Sequence, residues 1–179
     1  MKIVAIDNRN DLFSVSEIID YDVLDQFNNI DLNTVSCSKF PFKYERFPRN
    51  VIESFDNEVI SEVRYQISKS VETVNRELDT SFGNVRPEDV KLWWDLPGFS
   101  SCLHLDNSTV LNSMQIYLGE ANENLGTVFY NSNNREDVRY RFKYIKNTGY
   151  IMFNNEHQYH SMEDIITKND KRISSYFIM

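Results

Sequence analysis

The sequence predicts an α+β fold, mainly β, in which a double-stranded β-helix (jelly roll) occupies the C-terminal half and N-terminal helices pack outside it. Three observations lead there. Tyr and Phe are plentiful, ten and twelve, and aromatic and β-branched residues suit the half-buried surface of a strand. From Pro87 onward hydrophobic residues recur with a period of two, the period of a strand and not of a helix. The same half is punctuated by Pro97-Gly98, Asn122 to Asn124, Asn131 to Asn134, Asn147 to Gly149 and Lys168 to Asp170, residues that favour turns. Strands that succeed one another without crossover helices pair antiparallel, and a long run of them must close or double over to hide its edges.

We expect one domain spanning 1–179, with 1–86 as a support of helices and short strands and 87–179 as the β core. In the support, a helix is predicted near 56–79, because Val59, Ile60, Val63, Ile67, Val71, Val74 and Leu78 fall on one stripe. Ser54 or Asp56 can cap its start, and Gly83 lies past its end. An earlier helix, capped by Ser14 or Ser16, would bury Ile18, Ile19, Val23 and Phe27. The charges Glu58, Glu62, Lys69, Glu72 and Arg76 read as solvated faces. In the core, strands are expected near 88–95, 99–106, 110–119, 126–130, 138–145, 149–154, 158–166 and 171–178.

Composition narrows the function classes. A net charge of −8 opposes broad attraction to phosphate backbones, so nucleic acid is an unlikely partner. Cys37 and Cys102 are the only cysteines, too few for a disulfide framework and consistent with a reducing compartment. The N-terminal residues do not build the apolar core of a signal peptide. No run of about 18 apolar residues offers a membrane span. The expectation is a cytoplasmic protein. Phosphate-binding glycine loops, a nucleophile elbow and paired CxxC motifs do not occur.

The chemistry concentrates on few residues. The three histidines, His104, His157 and His160, all lie in the β half, and histidine is the commonest metal ligand. In Cys102-Leu103-His104-Leu105-Asp106, strand alternation would turn Cys102, His104 and Asp106 to one face, where an imidazole and a carboxylate can share an ion. Two histidines and a carboxylate leave three adjacent positions of an octahedron open, the arrangement of non-haem iron(II) oxygenases. Two of those positions suit a 2-oxo acid and the third dioxygen. A second carboxylate on that acid calls for a guanidinium, which can bind both oxygens at once. Arg172, Ser174 and Tyr176 share one face of the last predicted strand.

Taken together, His104-Leu105-Asp106, a distal His160 and Arg172-Ile173-Ser174 resemble the Fe(II)/2-oxoglutarate-dependent dioxygenases, in the order that family shows. Trp94-Asp95-Leu96-Pro97-Gly98-Phe99 is similar to the approach to its first ligand strand. Gln115 to Leu118 and then Leu125 to Phe129 resemble the strand, loop and strand of prolyl-hydroxylase-like members. The resemblance covers roughly residues 88–178. It implies His104, Asp106 and His160 as ligands of Fe(II), with 2-oxoglutarate and O2 as cosubstrates and ascorbate as reductant. It implies Arg172 and Ser174 as holders of the distal carboxylate, and Tyr117 as a further contact to 2-oxoglutarate. His160 is preferred to His157 because it fits the family's motif and its distance from Arg172; the two would face opposite sides of a strand. The spacing from His160 to Arg172 is longer than the family's, through Lys168 to Asp170.

The expected activity is hydroxylation of a C–H bond with decarboxylation of 2-oxoglutarate to succinate. A peptidyl, first of all prolyl, side chain is the leading substrate, and a free amino acid or other small metabolite the alternative. A cupin-like metal-binding or isomerase domain and a non-catalytic jelly roll are the rivals from other classes. Cys102 reads as a small apolar filler. Arg139, Arg141 and Lys143, alternating with Val138, Tyr140, Phe142 and Tyr144, read as the solvated face of an outer strand.

Overall fold

The computed structural model describes residues 1–39, 48–80, 83–107, 110, 112–153, 158–162 and 164–178. Along the chain run β1 (Lys2–Ala5), β2 (Leu12–Ser16), α1 (Tyr21–Asn28), β3 (Cys37–Lys39), β4 (Arg49–Ile52), α2 (Glu58–Leu78) and β5 (Lys91–Asp95). Then come β6 (Asn112–Tyr117), β7 (Val128–Tyr130), β8 (Val138–Arg141), β9 (Thr148–Phe153), β10 (Tyr159–Ser161) and β11 (Arg172–Ile178). They form an eight-stranded sheet in the order β1-β2-β9-β6-β11-β5-β4-β3 and a three-stranded sheet in the order β10-β7-β8. The named strand pairs are antiparallel. This is a jelly roll with helices on its outside.

The large sheet separates two apolar layers. On one face Ile52, Leu92, Ile116, Ile151 and Ile173 meet Leu24 and Phe27 of α1 and the α2 stripe Ile60, Val63, Ile67, Val71 and Val74. Each such side chain taken fully out of water contributes about 1.5–3 kcal/mol. On the other face Leu12, Tyr117, Tyr150 and Met152 meet Phe129, Phe142, Tyr144, Met162 and Ile166. The N-terminal half does more than cover the barrel, because β1, β2, β3 and β4 extend the large sheet at both ends.

Local signals were partly displaced. The N-cap of α2 is Asn57, whose side chain accepts from the backbone N–H groups of Val59 and Ile60, while the Ser54 hydroxyl is taken by the Ser36 N–H. The helix ends at Asp79, with φ of 50°; Asp tolerates this left-handed conformation better than most residues, and Gly83 lies beyond it. Ser14 and Ser16 belong to β2 and not to a helix cap, because that segment pairs with β1 and β9. The Asn147 side chain satisfies the N–H groups of Ile18 and Ile19 at 2.9 Å before α1 begins.

The expected strand at 99–106 is not a regular one. Gly98, with φ of 93°, turns the chain, and the segment beyond it runs irregularly against His160, Met162 and Ile166. It is held by Gly98 N–H to Ile166 O at 2.7 Å, Ile166 N–H to Phe99 O at 2.9 Å and Met162 N–H to Ser101 O at 3.2 Å. His104 and His160 close the series with reciprocal backbone bonds of 3.0 and 2.9 Å. Among the described residues no helix is long and apolar enough to cross a membrane.

Candidate metal centre and its cavity

The bridge between His104 and His160 places the two imidazoles side by side, ring centroids 4.3 Å apart. Asp106 comes in the loop after His104, and its Oδ1 lies 3.7 Å from the Nε2 of each histidine. One ligand atom from each of the three residues lies within 4.8 Å of the others. Among the described residues, this is the group of three or more His, Cys, Asp or Glu side chains that could hold a metal ion. His157 lies outside the described residues.

Each ring is set by the carbonyl two residues before it. His104 Nδ1 lies 2.7 Å from Cys102 O, and His160 Nδ1 lies 2.9 Å from Gln158 O. An Nδ1–H donated to these oxygens leaves each Nε2 lone pair turned to the shared centre, the orientation that metal-bound histidines require. The Tyr176 hydroxyl donates to Asp106 Oδ2 at 3.3 Å, fixing the carboxylate while Oδ1 faces the histidines. This donor set fits a divalent transition ion with positions left over.

The three side chains also interact with one another electrostatically. Burial pushes the Asp106 carboxyl up, but the hydrogen bond to His104 and the charge of both imidazoles outweigh it and hold it below the usual carboxylate value. The Asp106 hydrogen bond pushes His104 up, whereas burial, then the neighbouring His104, pushes His160 down. Burial and Asp106 push the Tyr176 phenol well up, so at neutral pH it remains a donor.

The three residues stand in the wall of a cavity of about 910 Å³, whose lining also includes Arg49, Trp93, Phe99, Gln115, Tyr150 and Arg172. Arg49, Asp95 and Arg172 lie in one row across β4, β5 and β11. Asp95 is fully buried and forms ion pairs with both guanidinium groups, while Arg172 Nε donates to Leu125 O at 2.9 Å. Arg49 lies over the rings of Trp93 and Phe99, 4.0 and 4.3 Å from their centroids. Trp93 in turn stacks on Tyr176, with centroids 4.8 Å apart.

Ser174 and Tyr117, expected as contacts to 2-oxoglutarate, are fully buried and do not line the cavity; they bond to side chains that do. Gln115 Nε2 donates to Ser174 Oγ at 3.2 Å, and Tyr117 OH donates to Thr127 Oγ1 at 2.9 Å. Gln115 Oε1 accepts from Tyr150 OH at 2.8 Å and from Thr127 Oγ1 at 3.3 Å. Of this network Gln115, Thr127 and Tyr150 reach the cavity. Cys102 is exposed and also lines the cavity, so it is not a core filler.

Sequence reasoning left out Arg49, the pairing role of Asp95 and the bond from Tyr176 to Asp106. Arg49 and Asp95 are 46 positions apart, so only the register of β4 against β5 brings them together. The strand period did place Tyr176 on the face of Arg172.

Jelly-roll architecture with a two-histidine, one-carboxylate cluster in a cavity defines a class. Neither a family model nor a curated protein matches the sequence. Solved structures do match the fold. A Pseudomonas putida prolyl-4-hydroxylase aligns with 92% of this chain and 89% of its own, at TM-score 0.60 and 12% identity. The viral collagen prolyl hydroxylase of Paramecium bursaria Chlorella virus-1, in complex with 2-oxoglutarate, aligns over 92% and 93% at TM-score 0.57 and 14% identity. HygX of Streptomyces hygroscopicus, with nickel, 2-oxoglutarate and hygromycin B bound, aligns over 92% and 81% at TM-score 0.58 and 10% identity. The chain has the fold of the Fe(II)/2-oxoglutarate-dependent dioxygenases.

Proposed function

We propose that this chain is an Fe(II)- and 2-oxoglutarate-dependent dioxygenase that hydroxylates a C–H bond, with His104, Asp106 and His160 holding the ion. The observation that carries this reading is the convergence of those three side chains in a cavity wall that also presents Arg172. A ferrous ion with 2-oxoglutarate and O2 supplies the oxidising chemistry, with 2-oxoglutarate leaving as succinate and CO2, and ascorbate serving as reductant. The protein supplies ligation, orientation and exclusion of water. Arg172, with Arg49 beside it, provides the positive end of the cavity for the distal carboxylate. Ser174 and Tyr117 act through Gln115 and Thr127, whose positions they fix. Tyr176 keeps the Asp106 carboxylate turned towards the ion.

For the substrate we propose a peptidyl side chain, prolyl first, supported by the likeness to prolyl hydroxylases and by a cavity at the upper end of the size usual for small-molecule sites. A free amino acid or other small metabolite is the second reading, favoured by the likeness to HygX with its bound hygromycin B. The test supplies Fe(II), ascorbate and 2-oxoglutarate and compares succinate release with proline-containing peptides, free amino acids and methylated oligonucleotides. Stimulation by peptides supports the first reading. Stimulation by free amino acids alone selects the second, and stimulation by oligonucleotides alone removes both.

A further inference from the structure

Arg139 departs from the solvated face expected for its strand. Arg141 and Lys143 are exposed there, but the Arg139 side chain is only 3% exposed. Each nitrogen of its fork is engaged. Nε donates to Asp7 Oδ2 at 2.7 Å, Nη2 to Asp7 Oδ1 at 2.9 Å and also to Asp11 Oδ1, and Nη1 to Gln158 Oε1 at 3.2 Å. Asp7 and Asp11 lie in the loop between β1 and β2, at the edge of the large sheet, whereas Arg139 lies on β8 of the small sheet. The guanidinium therefore clasps the two sheets together.

Gln158 carries the clasp to the candidate metal centre. Its side chain is completely buried. Besides accepting from Arg139, it donates from Nε2 to Asp11 O at 3.3 Å. Its backbone carbonyl is the oxygen that orients the His160 ring. The strand that carries His160 has three residues, Tyr159–Ser161, too short to fix its own entry. We infer that Arg139, with Asp7 and Asp11, is a positioning residue for His160, acting through Gln158 to hold the imidazole in its ligating orientation. The inference rests on His160 being a ligand. It makes the hairpin of β1 and β2, remote in sequence, part of the machinery that sets metal affinity.

Changing partners that orient a ligating histidine typically weakens metal binding 10–100-fold. Arg139→Met removes the fork, and Arg139→Lys keeps charge without the planar geometry. Gln158→Met removes the side-chain link while leaving the ion pairs, and provides a second variant should Arg139→Met fail to fold. Arg9→Met is the control. It removes the bond from Arg9 to Asn131, which ties the same loop without touching Gln158.

The experiment titrates each protein with Co(II), recording affinity and the visible spectrum, and uses 15N NMR of the metal-free protein to read the His160 tautomer. We expect Arg139→Met and Gln158→Met to bind Co(II) roughly 10–100-fold more weakly, with an altered spectrum and loss of the Nδ1–H tautomer at His160. Arg139→Lys should recover only part of the affinity, and Arg9→Met should match wild type. If the variants lose thermal stability but keep wild-type Co(II) affinity, spectrum and tautomer, the clasp is purely structural and the inference falls. If wild type binds no Co(II), the metal-centre reading and the ligand-positioning role fall together.

Discussion

Asp95→Asn separates a structural ion pair from a cosubstrate anchor. Asp95 is fully buried and paired with two guanidinium groups, themselves 10% and 3% exposed. Neutralising it leaves two neighbouring buried cations without their carboxylate. Breaking a buried pair costs about 3–5 kcal/mol; asparagine keeps one acceptor oxygen, which places the loss near about 3 kcal/mol. For a chain of this size that lowers Tm by about 6–12 °C. If Arg172 anchors the distal carboxylate, 2-oxoglutarate should replace the missing charge. The Tm rise on adding 2-oxoglutarate to Zn(II)-loaded protein should then be larger in Asp95→Asn than in wild type. 2-Oxovalerate, which carries a methyl group in place of the distal carboxylate, should give no such gain. Equal shifts in the two proteins, or an equal gain with 2-oxovalerate, would refute the reasoning.

His104→Ala, Asp106→Ala and His160→Ala should each abolish Fe(II)-dependent turnover and weaken metal binding in a chelator competition, whereas His157→Ala should retain most activity; the reverse pattern for the last two would exchange their roles. Arg172→Leu should weaken 2-oxoglutarate binding far more than metal binding, measured separately by calorimetry, because a distal carboxylate left unpaired in a buried site is costly. Tyr176→Phe removes a hydrogen bond to a charged acceptor, worth about 1.5–3 kcal/mol. Metal affinity in that variant should fall about 10-fold or more, and an unchanged value would exclude Tyr176 from orienting Asp106. Arg139 holds the Asp7 carboxyl below its usual range. A depressed pKa contributes stability above the ordinary carboxylate value of about 3.9 and loses it as pH falls through the lower folded value. Urea unfolding of wild type and Arg139→Met should therefore differ near neutrality and converge in acid; a gap independent of pH would contradict the pairing.

The β half was legible in the sequence because a period of two survives in short strands. Residues 172–178 and 112–117 read correctly as strands, since one face of each packs on the helices and the other on the barrel interior. The pattern misled at 99–106, where hydrophobic alternation continues but only scattered backbone bonds form after the Gly98 turn. His104 and Asp106 therefore meet through a bridge and a loop, not through strand alternation. A helix-capping signal misled at Ser14 and Ser16, where good capping residues are claimed by strand pairing. The arginines show the limit most clearly. Arg172 could be singled out by local pattern, whereas Arg49, Arg139 and the buried Arg64, which donates to Val90 O at 3.2 Å, depend on partners far away in sequence.

That His104, Asp106 and His160 hold a ferrous ion in a cavity that takes 2-oxoglutarate is tested most directly by anaerobic titration of the metal-free protein. Fe(II) is added first and 2-oxoglutarate second, with binding measured calorimetrically in wild type and His160→Ala. We predict one Fe(II) per chain and one 2-oxoglutarate that binds tightly only after iron, with both lost in His160→Ala. Failure of wild type to bind Fe(II), or 2-oxoglutarate binding equally well without iron or in His160→Ala, would contradict this.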